Sequence, residues 1–382
     1  MSIIVKKFGG TSVESIEKVC KIAEYIASVK KQDHIVIVVS AMGKTTNELL
    51  NLAHEITKFP NQRELDMLIT AGERITMALL SLALQRYGVS SISFTGSQSG
   101  IITDNAHGNA KILCINAYRI KDELKKKKVV IVAGFQGVSL EKEITTLGRG
   151  GSDTTAVALA CFLKAKKCEI FTDVEGVLTA DPRIVTKFQK INKLSHEEML
   201  FMALSGAKVL HSRAAEFAYK YQIPVEIKSG TTFIEGTMID KMENTSLRTL
   251  TTSENIIIIE MIGKKDEYPV IHTPIVDLSS TGKTFVFMVE QKYRSSLIKE
   301  LKESNVRFKE QRKTYCLINI LGYRICNDLP FFYDLSKTLT NNCGGSYLIL
   351  NKGIGIQIRI DQIDAQKTIN ILNEKYIING VI

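Results

Sequence analysis

Two short runs limit the fold more than anything else in this chain. Residues 35–39 read Ile-Val-Ile-Val-Val and residues 129–135 read Val-Val-Ile-Val-Ala-Gly-Phe. A strand with one face in water alternates apolar and polar residues; these do not alternate. Unbroken apolar runs of strand length are buried on both faces, as in a parallel sheet covered by helices. Parallel neighbours need crossover connections, normally helices. Helical spacing is present where such crossovers belong: Val13, Ile16, Val19, Ile22, Ala23 and Ile26 share one face. Further strands are expected at 3–7, 92–95 and 169–172. Helices are expected at 49–56, 64–87 and 112–126. The fold class is therefore α/β: a doubly wound, mainly parallel sheet over residues 1–240, with ligands at the strands' C-terminal ends.

Polar residues across 241–254 read as a linker. Beyond it the pattern becomes a repeat of small α+β units, at 255–313 and 314–382. Strands are expected at 256–262, 274–278, 284–289, 315–321, 347–350 and 354–360, with helices at 294–304, 329–339 and 363–376.

The chain has 382 residues, 45% of them apolar, so a sizeable core is expected. No run reads as long and apolar enough to span a bilayer, so no membrane partner is expected. The start, Met1-Ser2-Ile3-Ile4-Val5-Lys6-Lys7, lacks a signal-peptide layout. Seven scattered cysteines without a Cys-x-x-Cys pair read as reduced thiols in a cytoplasmic protein. The net charge of +10 comes mostly from dispersed lysines, without the aromatic interleaving that nucleic-acid binding uses. No nucleic-acid partner is expected; the charge suits an anionic small molecule.

The chemistry concentrates at Leu147-Gly148-Arg149-Gly150-Gly151-Ser152-Asp153, between a buried strand and a helix start. Three glycines allow close backbone approach to a ligand. Ser152 or Asp153 is placed to cap the helix, whose free N–H groups favour anions. Arg149 adds a planar fork that fits a carboxylate or phosphate. Neither Gly-x-x-x-x-Gly-Lys-Ser/Thr nor a first-strand Gly-x-Gly-x-x-Gly is present. Lys7, beside Gly9 and Gly10, and Lys208, in Gly206-Ala207-Lys208-Val209-Leu210-His211, are candidate cations for phosphoryl transfer.

Taken together the motifs resemble the aspartate kinases of the amino-acid kinase superfamily. Lys7-Phe8-Gly9-Gly10-Thr11-Ser12-Val13 looks like that family's N-terminal signature. Val38 to Gly43, Gly72-Glu73-Arg74, Thr103-Asp104, His107-Gly108 and Gly134-Phe135-Gln136-Gly137 are similar to family motifs in order. So are Leu147 to Asp153, Phe171-Thr172-Asp173-Val174, Thr179-Ala180-Asp181-Pro182-Arg183 and Gly206 to His211. The resemblance implies ATP-dependent phosphorylation of the β-carboxylate of L-aspartate, the first step toward lysine, threonine and methionine. Under it, Lys7, Lys208 and Asp153 are catalytic. Ser40, Thr46, Glu73, Arg149, Gly150, Gly151, Ser152 and Asp153 bind aspartate, with Arg149 on its α-carboxylate and Glu73 or Asp153 on its ammonium. Lys7, Phe8, Gly9, Gly10, Thr172, Asp173, Leu178, Asp181, Arg183 and Lys208 bind ATP. Leu178 stands where many members carry Tyr. Mg²⁺ is implied, held chiefly by ATP oxygens with no protein metal ligands. His107 and His211 are expected to be structural, His211 within a helical run.

Two alternatives stay open at this point: another acyl-phosphate kinase of the superfamily, or an inactive amino-acid sensor. The C-terminal units resemble paired ACT regulatory modules, which implies a homodimer or higher homo-oligomer. Residues 263–273 are too short, with Pro269 badly placed, for the first module's connecting helix. Weak or absent inhibition by lysine or threonine is therefore expected.

Overall fold

The computed structural model describes every residue except 1, 31–32, 242–248, 263–270, 272, 282–283, 312, 323–324, 344–346 and 381–382. The chain forms two units. The first is Met1–Val177, Lys190–Leu200 and Lys208–Glu243; the second is Leu178–Gln189, Phe201–Ala207 and Asn244–Ile382.

The first unit starts with β1 (Ile3–Phe8), α1 (Ile16–Val29), β2 (His34–Val39), α2 (Thr45–Ile56), α3 (Gln62–Ile69) and α4 (Ala71–Arg86). Next come β3 (Ser91–Phe94), β4 (Ile101–Thr103), β5 (Ile112–Ile115), α5 (Tyr118–Lys125), β6 (Val129–Ala133), β7 (Gln136–Ser139) and β8 (Ile144–Thr146). It closes with α6 (Gly151–Leu163), β9 (Lys167–Thr172), β10 (Lys193–Ser195), α7 (His196–Leu204, its last four residues counted with the second unit), α8 (Ser212–Tyr221), β11 (Val225–Ser229) and β12 (Thr237–Asp240). Eight strands make the main sheet in the order β10-β12-β11-β9-β1-β2-β6-β3. Only the β11–β12 pair is antiparallel. Every residue of β6 is buried, which explains its lack of alternation. A four-stranded sheet, β5-β4-β7-β8, stands beside it.

Several expectations change. Residues 112–115, read as helix, are strand β5: Ile112 and Ile115 are β-branched, and pairing with β4 outweighs the helical spacing. The helix there starts only at Tyr118. Residues 62–86 form a 25-residue helical stretch that is long and apolar enough, by length and composition, to cross a membrane. Half of its most apolar window is buried, because Leu80 and Leu84 pack against Ile22 and Ile26 of α1. All seven cysteines are free thiols.

The second unit continues with β13 (Thr249–Ile262), β14 (Asp277–Thr281), β15 (Thr284–Glu290), α9 (Arg294–Glu303) and β16 (Arg307–Glu310). It ends with β17 (Tyr315–Leu321), α10 (Leu329–Asn342), β18 (Tyr347–Asn351), β19 (Gly355–Asp361) and α11 (Ala365–Leu372). One seven-stranded sheet runs β14-β15-β13-β17-β19-β18, with β16 on β13. Residues 249–254, expected as linker, are the first part of β13. The strand expected at 274–278 begins at Asp277 instead; Pro274 has no N–H to give a ladder. The helix-poor stretch 263–273 lies almost wholly outside the described residues.

Consecutive lysines on β1 meet different partners. Lys6 pairs with Glu169 on β9, and Lys167 bridges Glu169 (2.7 Å) and Glu226 (2.6 Å). Lys228 lies 3.6 Å from Glu226. Burial pushes the Glu169 carboxyl up, but Lys6 and Lys167 outweigh it and hold the group below its ordinary value. Glu169→Gln leaves Lys6 buried without its carboxylate. Losing one partner of such a pair costs about 3–5 kcal/mol, so urea unfolding should shift by that order.

Candidate active site

The C-terminal ends of β1, β2, β6 and β9 carry the polar loops. Lys7 sits on β1 between Val38 and Ile170 and faces the helix side opposite Lys6. Its Nζ is 2.7 Å from Oδ1 of Asp153, in the first turn of α6. Both side chains are largely buried, so the pair is weakly screened. After β1 the chain turns through Gly9 and Gly10. A Cβ on Gly9 would lie 3.3 Å from Lys7 Nζ, and one on Gly10 would lie 3.1 Å from the Ala41 carbonyl. The Gly43 N–H donates to the Gly10 carbonyl at 3.1 Å, joining this turn to the loop after β2.

Helix α4 brings Glu73 under that same loop. Gly72 permits the approach: a Cβ there would meet Ala41 Cβ at 2.7 Å. Glu73 is 3% exposed; its Oε1 accepts the Ala41 N–H at 3.1 Å. Its Oε2 is buried with no hydrogen-bond partner among the described residues. Desolvation pushes its carboxyl up to about 7. An unfilled, desolvated carboxylate oxygen is a seat for a cationic group.

The glycine-rich turn starts α6, but Ser152 and Asp153 do not cap it. Gly150 is the N-cap, in a left-handed conformation (φ 69°), which glycine adopts without strain. The His211 ring fills the space where a Gly150 Cβ would be. His211 is not helical; it is the extended residue just before α8. Burial lowers its pKa, Asp153 opposes this, and Arg213 and Arg149 add to it. Its Nδ1 is buried without a partner among the described residues. Arg149 is exposed, and no hydrogen bond or ion pair holds it among the described residues. Ser152 packs against Gly134, whose Cβ would meet Ser152 Oγ at 2.8 Å and the Val39 carbonyl at 2.9 Å.

Other expected residues are placed as follows. Ser40 follows β2, its N–H bonding the Phe8 carbonyl at 3.2 Å, and Thr46 is in the first turn of α2. Phe8 is buried and stacks on Phe171 at 4.6 Å between centroids. Thr172 ends β9 and donates to Asp173 at 3.0 Å. Lys208 is exposed in the loop before α8. Leu178, Asp181 and Arg183 belong to the second unit, where Arg183 grips Asp181 at 2.9 and 2.6 Å.

Two residues escape a reading by motif. Asp66 on α3 is fully buried and accepts from the Gly108 N–H, the Thr146 N–H and hydroxyl, and lies 2.9 Å from His107 Nδ1. Arg213 donates to the Asn109 side chain and to the Leu147 and Ala110 carbonyls. The only local signal for Asp66 is an acid on the buried face with Ile69.

Comparison with known proteins agrees with this arrangement. The family model for the amino acid kinase family matches residues 2–229, and the chain belongs to that family. It is 39% identical, over 397 aligned residues, to an aspartokinase of Geobacillus stearothermophilus, covering 100% of this chain and 96% of that one. It is 54% identical over 242 residues to aspartokinase 2 of Bacillus subtilis (strain 168), covering 63% and 59% of the two chains. Among solved structures, aspartate kinase from Synechocystis has a TM-score of 0.58 at 31% identity, covering 100% of this chain and 69% of that one. Escherichia coli aspartokinase III in complex with aspartate and ADP shares the fold, with a TM-score of 0.81 at 21% identity, covering 97% and 99%. Within the amino acid kinases, this chain is an aspartokinase.

The raised Glu73 pKa carries a stability signature. Between pH 4.5 and about 7 the unfolded carboxyl is ionised while the folded one stays protonated. The native state then holds more protons, so stability falls as pH rises through that window. Relative to Glu73→Gln, the wild type should lose about 3 kcal/mol across it, read by urea unfolding at each pH.

Proposed function

We infer that this chain transfers the γ-phosphoryl group of ATP to the β-carboxylate of L-aspartate, giving 4-phospho-L-aspartate and ADP. The observation that carries this reading is the Lys7–Asp153 pair at 2.7 Å, beside a glycine turn and at the head of α6. Gly9 and Gly10 leave room for phosphate oxygens where side chains would crowd Lys7 and Ala41. Lys7 is then shared between Asp153 and the phosphoryl group as negative charge develops. Thr172, Asp173 and Lys208 are the further nucleotide contacts proposed on the first unit. Mg²⁺ would be held by nucleotide oxygens and would neutralise charge on them.

Aspartate is proposed to sit between Arg149 and Glu73, with Ser40, Thr46 and the 150–153 turn around it. Arg149 offers an unoccupied fork for the α-carboxylate. The empty Oε2 of Glu73 receives the ammonium, whose charge favours the ionised acid. A β-carboxylate ordinarily titrates at about pH 4 and is ionised near neutral pH, so no general base is needed. A carboxylate oxygen attacks the γ-phosphorus, the bond to the bridging oxygen of ADP breaks, and its electron pair leaves with ADP.

Residues 1–240 are proposed as the catalytic part and the two C-terminal units as ACT-like modules. A cytoplasmic homodimer joined through them is proposed as the working form, serving the route to lysine, threonine and methionine.

The deciding experiment supplies ATP, Mg²⁺ and hydroxylamine and asks which acceptor gives a hydroxamate. Aspartate should; glutamate and acetylglutamate should not. A product from another acceptor alone, or from none, overturns the reading. Lys7→Ala should lower kcat by about a hundredfold, the scale of one lost preorganised charge contact. Arg149→Lys keeps charge but loses the fork, and should raise KM for aspartate by about tenfold or more with KM for ATP little changed.

A further inference from the structure

Arg213, in the first turn of α8, has no part in the proposed reaction, yet it makes more directed contacts than the site arginine does. Its half-buried guanidinium donates from Nη1 to Asn109 Oδ1 (3.1 Å) and to the Leu147 carbonyl (2.5 Å), and from Nη2 to the Ala110 carbonyl (2.7 Å). All three acceptors lie on two loops, neither of them in α8. The Ala110 N–H donates in turn to the Thr146 carbonyl at 2.8 Å. Asp66 grips the first of these loops through Gly108 and the end of β8 through Thr146, from α3.

The clamp ends at Leu147, two residues before Arg149. Between them lies Gly148 in a left-handed conformation (φ 74°), packed so closely that a Cβ would stand 2.9 Å from Asn109 Oδ1 and 3.0 Å from the Gly108 carbonyl. After Arg149, Gly150 is again left-handed and pressed on His211. Arg149 is thus the one exposed residue of a turn held on both sides. The Leu147 carbonyl fixes the start of that turn, and a planar fork holds it in one orientation where an ammonium would not.

We propose that Arg213 is a positioning residue for aspartate, locking the 147–150 turn so that the Arg149 fork meets the substrate carboxylate. This rests on Arg149 as the carboxylate anchor, and its role is separate from simple bracing of the fold. Misplacing an anchor by about 1 Å can cost up to a hundredfold.

The test uses the full chain and three variants: Arg213→Met, Arg213→Lys and Arg149→Ala, with Arg213→Met also placed on the Arg149→Ala background. Arg213→Met should raise KM for aspartate by about tenfold while KM for ATP stays within about twofold, and Arg213→Lys should recover part of the loss. On the Arg149→Ala background, Arg213→Met should change KM for aspartate no further, because residues acting as a unit are not additive. The same factor on both backgrounds, or equal loss of ATP affinity, overturns the proposal. Hydrogen exchange on the substrate-free protein reads the clamp without catalysis: amides 148–151 should exchange faster in Arg213→Met while those of α8 do not. Unchanged exchange also overturns it. If exchange behaves as expected but the wild type traps no aspartyl hydroxamate, the proposed activity fails and the clamp stands.

Discussion

Two consecutive lysines on the central strand decide how this unit is built. Side chains alternate across a strand, so Lys6 and Lys7 point to opposite faces of a sheet covered on both sides. A buried ammonium is tolerable only with a partner. Each face supplies one: Glu169 for Lys6 and Asp153 for Lys7. The Glu169 side is closed by Tyr25, Phe171 and Phe233, and the charges there form a ladder with Lys167, Glu226 and Lys228. The Asp153 side opens at a helix N-terminus beside glycines. One lysine is consumed in holding strands β1, β9 and β11 together. The other is left beside the glycine turn, where the proposed ATP phosphate would compete for it.

The second constraint is close approach. Loops after β1, β2 and β6 converge because glycine stands at each contact. Gly10 touches the Ala41 carbonyl, Gly72 touches Ala41 Cβ, and Gly134 touches Ser152. A methyl group at any of these would push a strand end away from a helix start. Convergence also desolvates Glu73 and leaves one of its oxygens without a partner among the described residues. The geometry that packs the loops therefore creates the raised pKa as a by-product.

Much of this was legible in sequence because it is local. Unbroken apolar runs named the central strands, helical spacing named α1, and glycines flanked the residues later found at the strand ends. What escaped was set by distant partners. Asp66 and Arg213 satisfy backbone groups of loops that are far away in sequence, and no spacing rule reports such pairings. Short strands such as β10 and β12 are stabilised by their neighbours rather than by their own three or four residues. The reading of residues 112–115 failed for the same reason, since β4 supplied what the local pattern lacked. Nor does composition mark 178–189 and 201–207 as segments of the second unit, where the Leu250 N–H bonds the Thr179 carbonyl and Asn319 bonds the Ser205 carbonyl.

The second unit shows how a single strand takes over part of a stretch that polarity reads as a linker. β13 is fourteen residues long and serves three partners along its length. Its first part, from Thr249 to Ser253, pairs with β17; its later part, Ile256 to Ile262, pairs with β15 and ends against β16. The register shifts between Ser253 and Ile256, where Asn255 turns left-handed (φ 55°) and donates its N–H to Gln362. A bulge re-aims a strand, so faces can be reassigned within one element. After it, Ile257, Ile259 and Met261 join the core under α9, while Ile256 and Ile258 meet Met288 and Leu317 on the other face. Polar residues such as Thr251, Thr252 and Ser253 look like a linker only while their partners are unknown. With β17 beside them, their N–H and carbonyl groups are satisfied by a ladder, and the second unit's sheet begins at Thr249, inside the stretch that reads as a linker.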